Sequence, residues 1–112
     1  MRIRDGDKAV VDTSKLLGYC LSAAHTRGRF KAHQFKTRLG LGPDEVDVVK
    51  LALTKAVSSS DTAELGDRDA FGQRYVLDLT MRGGKGEATV RSHWIVRNGE
   101  NYPRLLTCGV VN

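Results

Sequence analysis

The sequence is short of the residues that staple small domains. Only two cysteines, Cys20 and Cys108, occur in 112 residues. Their separation matches no zinc-ligand spacing and both fall among apolar residues. They read as buried free thiols rather than as a disulfide framework or a metal ribbon. No apolar run approaches the ~20 residues of a membrane-spanning helix. The opening Met1-Arg-Ile-Arg-Asp-Gly-Asp7 lacks the apolar centre of a signal peptide, so the chain as written is expected to be cytoplasmic unless another system exports it. There is no nucleophile elbow, P-loop or dinucleotide fingerprint. His25 and His33 lack the spacing of a zinc helix. No metal and no cofactor is expected.

What is present is positive charge. Eighteen Lys and Arg against thirteen Asp and Glu give a net charge of +5 and a pI near 9.5. Such an excess favours polyanionic partners, nucleic acid first, although it also serves solubility. An apolar share of 40% and a charged share of 28% are those of an ordinary globular domain. The length predicts one domain over residues 1–112 with a real but small core.

The basic residues are densest in His25-Thr-Arg-Gly-Arg-Phe-Lys-Ala-His-Gln-Phe-Lys-Thr-Arg-Leu-Gly40. Ala32, Phe35 and Leu39 recur at helical spacing, and Gly40 sits where a left-handed cap is expected. Arg29, His33 and Lys36 share another face. One helix thus offers an apolar stripe to a core and a cationic stripe to an anion.

The rest of the chain is arranged around this helix. Residues 1–11 read as an arm or short hairpin that caps one edge. Residues 12–58 read as helical. Asp12-Thr13-Ser14 supplies N-cap candidates for a first helix from Lys15 to Leu21. Pro43, with Asp44, Glu45 and Asp47, opens a third helix whose Val46, Val49, Leu53 and Val57 keep helical spacing. From residue 61 to 112 the period becomes two. Thr62 to Leu65 reads as a weak strand and Gly66-Asp67-Arg68-Asp69 as a turn. Gly83-Gly84-Lys85-Gly86 reads as a plain hairpin loop. Helices followed by a meander predict an α+β fold, with about three N-terminal helices packed on one face of a roughly four-stranded antiparallel sheet. Tyr75, Leu77, Leu79, Val90 and Trp94 are assigned to the core face. Arg74, Arg91 and His93 take the opposite face, joined by Thr107 if the last strand keeps register.

The candidate chemistry is metal-free. Cutting RNA through its 2′-hydroxyl needs a base, cations for the charged phosphorane, and an acid for the leaving oxygen. Histidine titrates near neutral pH and serves as base or acid. Lys and Arg stabilise the transition-state charge. His25, Lys31, Arg91 and Thr107 are the catalytic candidates. Arg27, Arg29, Arg74, Tyr75 and Arg104 are the RNA-binding candidates. His33 and His93 rank behind them. The same residues also suit binding of a phosphate backbone without cutting it.

Several motifs also carry a resemblance. Lys15-Leu-Leu-Gly-Tyr-Cys-Leu-Ser22, His25-Thr-Arg-Gly-Arg-Phe-Lys-Ala32, Phe35 and Leu39-Gly40 lie in the first half. Phe71-Gly-Gln-Arg-Tyr-Val76, Trp94-Ile-Val-Arg-Asn-Gly-Glu100 and Pro103-Arg-Leu-Leu-Thr107 lie in the second. Together they are similar to a family of small bacterial proteins of unknown function, found alone and as C-terminal modules of polymorphic toxins. The layout also resembles the barnase–EndoU–colicin–RelE ribonucleases. The resemblance implies a metal-independent ribonuclease-like toxin domain acting by 2′-hydroxyl transesterification. The alternative is a non-catalytic RNA-binding or protein-interaction module of a toxin–antitoxin or toxin–immunity pair. It implies RNA and an acidic antitoxin or immunity protein as partners. It transfers roles to His25, Gly28, Lys31, Arg74, Tyr75, Arg91, Arg104 and Thr107.

Overall fold

A computed structural model describes residues 1–22, 24–26 and 28–111. Three helical segments precede four strands, as the change of period predicts. Helix α1 begins at Thr13–Lys15 and widens into a π-helical turn at Leu16–Cys20. Asp12 caps it, its carboxylate accepting from Ser14 N–H at 2.9 Å. Helix α2 runs Gly28–Gln34 and likewise continues as a π-helical turn, Phe35–Leu39. Gly40 closes it in the left-handed conformation, φ 70°. Helix α3, Val46–Ser59, follows a 3-10 turn at Pro43–Glu45, where Glu45 Oε2 accepts from Gly42 N–H at 3.2 Å.

The strands β1 (Glu64–Arg68), β2 (Gly72–Gly83), β3 (Gly86–Arg97) and β4 (Arg104–Val111) form one antiparallel sheet in chain order. The helices pack on one face of it. Phe35 and Leu39 from α2, and Val49, Leu53 and Val57 from α3, meet Leu77, Met81, Val90 and Trp94 from the strands. Tyr75 and Leu79 pack against the same core. Trp94 and Leu53 are fully buried. The indole N–H of Trp94 donates to Ser92 Oγ at 2.8 Å, and that hydroxyl donates to the Leu77 carbonyl at 2.6 Å. The core's largest residue thus brings its polar atom inside with an acceptor attached.

The first strand departs from expectation. Gly66-Asp67-Arg68 belongs to β1 rather than to a turn. A register shift between Leu65 and Arg68 breaks the alternation that the sequence reading relies on. Gln73 Nε2 holds the irregular stretch by donating to the Gly66 carbonyl at 2.9 Å. The turn comes later, where Asp69 Oδ1 accepts from Phe71 N–H at 2.9 Å. The glycine-rich segment is a hairpin turn, with Gly83 paired to Gly86.

Residues 1–11 form no hairpin of their own. They contain a short 3-10 turn at Gly6–Lys8 and bury Ile3 and Val11. Val10 makes an isolated parallel bridge to Arg104 and so covers the start of β4. Gly28 is needed for packing rather than for a turn. A Cβ there would collide with the Tyr19 carbonyl, so its absence lets α2 start directly against α1.

Candidate functional site

The second face of the sheet carries the polar row of each strand. Val76, His93 and Thr107 lie side by side across β2, β3 and β4, and Asp78, Arg91 and Gly109 form the next rung. Thr107 stands opposite His93 at the end of an unbroken register that starts at Thr89, and a bulge shifts the pairing only beyond it, at Trp94. Three depressions adjoin here, and His93 lines all of them. One, of about 400 Å³, adds Glu64, Asp78 and Arg91. The second, of about 410 Å³, adds Arg74, Tyr75 and Thr107. The third, of about 310 Å³, adds Phe30, Lys31, Arg91 and Gly109.

Lys31 reaches this face from α2, across the edge strand β4. Its ammonium lies against Gly109, where a side chain would stand at 3.0 Å. Lys31 has no ion-pair partner among the described residues. Its charge is felt by His93 on one side and by the Cys20 and Cys108 thiols on the other. Those thiols are free and buried. Cys20 Sγ lies 3.7 Å from Thr107 Oγ1, which ties the hydroxyl to the core.

His93 is half-buried, and burial is the main reason its imidazole loses protons more readily than usual. The Lys31 and Arg91 charges push the same way, and Asp78 opposes them. The ring is thereby biased toward its neutral form, able to accept a proton near neutral pH.

The candidate arginines on the sheet are already engaged. Arg91 forms a two-pronged pair with Asp78, at 2.9 and 3.0 Å. The pair holds Asp78 below the usual carboxylate range, first through its hydrogen bond. Arg74 pairs with Asp69 at 3.1 Å. Arg104 grips Glu100 at 2.8 Å and is joined by Tyr102. It stands in a small cleft of its own with Val10, Asp12, Lys15 and Arg97.

The remaining candidates lie elsewhere. His25 caps α2: its Nδ1 accepts from Gly28 N–H at 3.0 Å, and its carbonyl accepts from Arg29 N–H at 2.8 Å. Its ring also meets the edge of Tyr19, centroids 4.6 Å apart. Arg29 is exposed on α2, on the side of His33 and Lys36. Arg27 lies outside the described residues. The structure thus brings Lys31, Arg91, Thr107 and Arg74 to one face and raises His93 to its centre, whereas Tyr75 lines the same depression but packs against the core. The signal for His93 is in the alternation of β3, which sets it on the row of Arg91. Among the described residues, no group of three or more His, Cys, Asp or Glu is placed to hold a metal. No helix there is long and apolar enough to cross a membrane.

Comparison with curated proteins finds no match. Among solved structures, the fold is similar to a chain of the contact-dependent growth inhibition toxin–immunity protein complex from Klebsiella pneumoniae 342. The identity is 18% and the TM-score 0.73, over 91% of this chain and 99% of that one. A family model, Domain of unknown function (DUF6883), matches residues 2–112, and with nearly every residue inside that match the chain belongs to this family.

Proposed function

We propose that the chain is a toxin-type module of a toxin–immunity pair, and that it binds RNA across the open face of its sheet. The observation that carries the reading is the meeting of three depressions at His93, with Lys31 at one rim and Arg91 and Arg74 across the strands. A phosphate there gains the Lys31 ammonium outright and Arg91 in competition with Asp78. The fold-level likeness to a chain of a toxin–immunity complex supports the pairing. The net charge of +5 supports an anionic ligand.

The test is RNA affinity over a range of salt. Each phosphate-bound cation contributes a slope of about one in log K against log salt, so Lys31→Ala should flatten the line by about that much. Binding that is indifferent to salt overturns the reading.

A second reading is that the same face cuts RNA without a metal. The neutral-leaning His93, beside Lys31 and opposite Thr107, favours it. The imidazole takes the 2′-hydroxyl proton, the 2′-oxygen attacks phosphorus, and the bond to the 5′-oxygen breaks as the imidazolium, directly or through water, gives that proton to the leaving oxygen. Lys31 and Arg91 meet the charge that builds on phosphorus. His25 lies off this face and is the candidate only if the reaction takes place elsewhere on the molecule. Cleavage of total RNA to cyclic-phosphate ends, reduced about 10²–10⁴-fold by His93→Ala, supports this reading. An undiminished rate in that variant moves the role to His25, where His25→Ala is the matching test. An inert parent leaves the binding module.

A further inference from the structure

A second surface of α2 adjoins that site and shares Phe30 with it. A cleft of about 530 Å³ runs along the helix, floored by Leu21, Phe30, Ala32 and Pro43. Arg29, His33 and Lys36 form its rim. Phe30 is 70% exposed and lies at the cleft beside Leu21, Ala32 and Pro43. None of the three rim side chains has a carboxylate partner among the described residues. The strands differ: Arg74, Arg82, Arg91 and Arg104 are each paired with an acid of this chain. Arg68 and Arg97 of the strands have no such pair among the described residues, but neither stands at an apolar cleft; around this cleft three unmatched cations surround an apolar floor.

We infer that this cleft is the docking site for an acidic protein segment that carries an apolar anchor side chain. The anchor covers Phe30 and Ala32, while carboxylates beside it meet Arg29, His33 and Lys36. A phosphate backbone would satisfy the cations but leave the apolar floor wet, which favours protein over RNA. A helix-in-groove or extended segment serves equally, because the chemistry is an apolar contact ringed by acids. The inference rests on the toxin–immunity reading only for the partner's biological role. The cleft itself is read from α2.

The experiment uses the full chain and a labelled peptide of about ten residues, two leucines set among glutamates, as the probe. Heteronuclear spectra should show shifts at Ala32, Lys36 and Gly42. Joint Arg29→Glu and Lys36→Glu should weaken the peptide about tenfold or more, and so should Phe30→Ser. All three side chains are exposed, so these variants should fold. A peptide with serines for leucines should bind about tenfold more weakly if the floor matters. Equal binding of the serine peptide, shifts confined to another surface, or no binding at millimolar peptide overturns the inference. An oligouridylate that shifts the same residues and is lost with the same variants also overturns it, by making the cleft a nucleic-acid surface. The RNA reading is judged separately by Lys31→Ala, so RNA binding that fails while the peptide binds leaves the docking site standing.

Discussion

Gly109 and Lys31 fit each other: the lysine ammonium occupies the space, 3.0 Å away, that a side chain at residue 109 would contest. The contact is with the far end of a flexible side chain, so it can yield. Gly109→Ala should therefore change stability by less than about 1 kcal/mol, the span of strand preferences. It should still move the ammonium off the sheet face and lower the salt slope of RNA binding as Lys31→Ala does. Unchanged RNA binding in Gly109→Ala, with the fold intact, means that this position of Lys31 is irrelevant to the ligand.

Ser92 stands between Trp94 and Leu77, bonded to both. Ser92→Ala leaves the buried indole N–H without its acceptor. The expected cost is about 1–3 kcal/mol, read by urea denaturation. An effect near zero shows that the indole has another acceptor available.

His93 should titrate below its ordinary value of 6.5. Lys31→Ala removes one of the repelling charges and should raise the midpoint, followed through the ring protons. The folded pKa is depressed, so the unfolded chain binds the proton first as pH falls. The stability tied to neutral His93 is complete above about 6.5 and is lost as pH falls from there through the folded value. A midpoint indifferent to Lys31→Ala places the ammonium too far from the ring to matter.

Glu100 is held down to about 2 by its hydrogen bond to Arg104, with Tyr102 adding to it. The ordinary value is 4.5, so the pair's stabilisation is complete above about 4.5 and disappears as pH falls through about 2. Glu100→Gln should be less stable than the parent at neutral pH, and the two melting curves should converge in acid. A constant gap across that range assigns the effect to shape rather than to charge.

The helices and the sheet were legible because their periods are clean. Val49, Leu53 and Val57 repeat along one side of α3, and Leu77, Val90 and Trp94 fall on one face of the strands. Asp12 and Gly40 announce their caps by residue type alone. The extent of β1 is not legible, because its alternation is broken by a bulge held from outside by Gln73. At the site, Lys31, Arg91 and Thr107 stand out in the sequence, but the partners of the arginines do not. Asp78 is distant from Arg91 in sequence and adjacent only through strand register. His25 ranked above His93 because a loop dense in arginine stands out in a sequence. Half-burial at the centre of a sheet face leaves no such trace.

The neighbour-to-neighbour strand order also sets the sequence in which the molecule comes apart. β2 and β3 are bonded on both sides, while the outer side of β4 has, among the described residues, the Val10 bridge beside its first residues. Opening β4 from its far end carries Thr107 and Gly109 away from His93 and Arg91 while β2 and β3 stay joined. Amide exchange should therefore be quicker along the outer half of β4 than in β3. The polar face is then lost in a partial opening that costs less than global unfolding, and a ligand bridging β3 and β4 suppresses that opening.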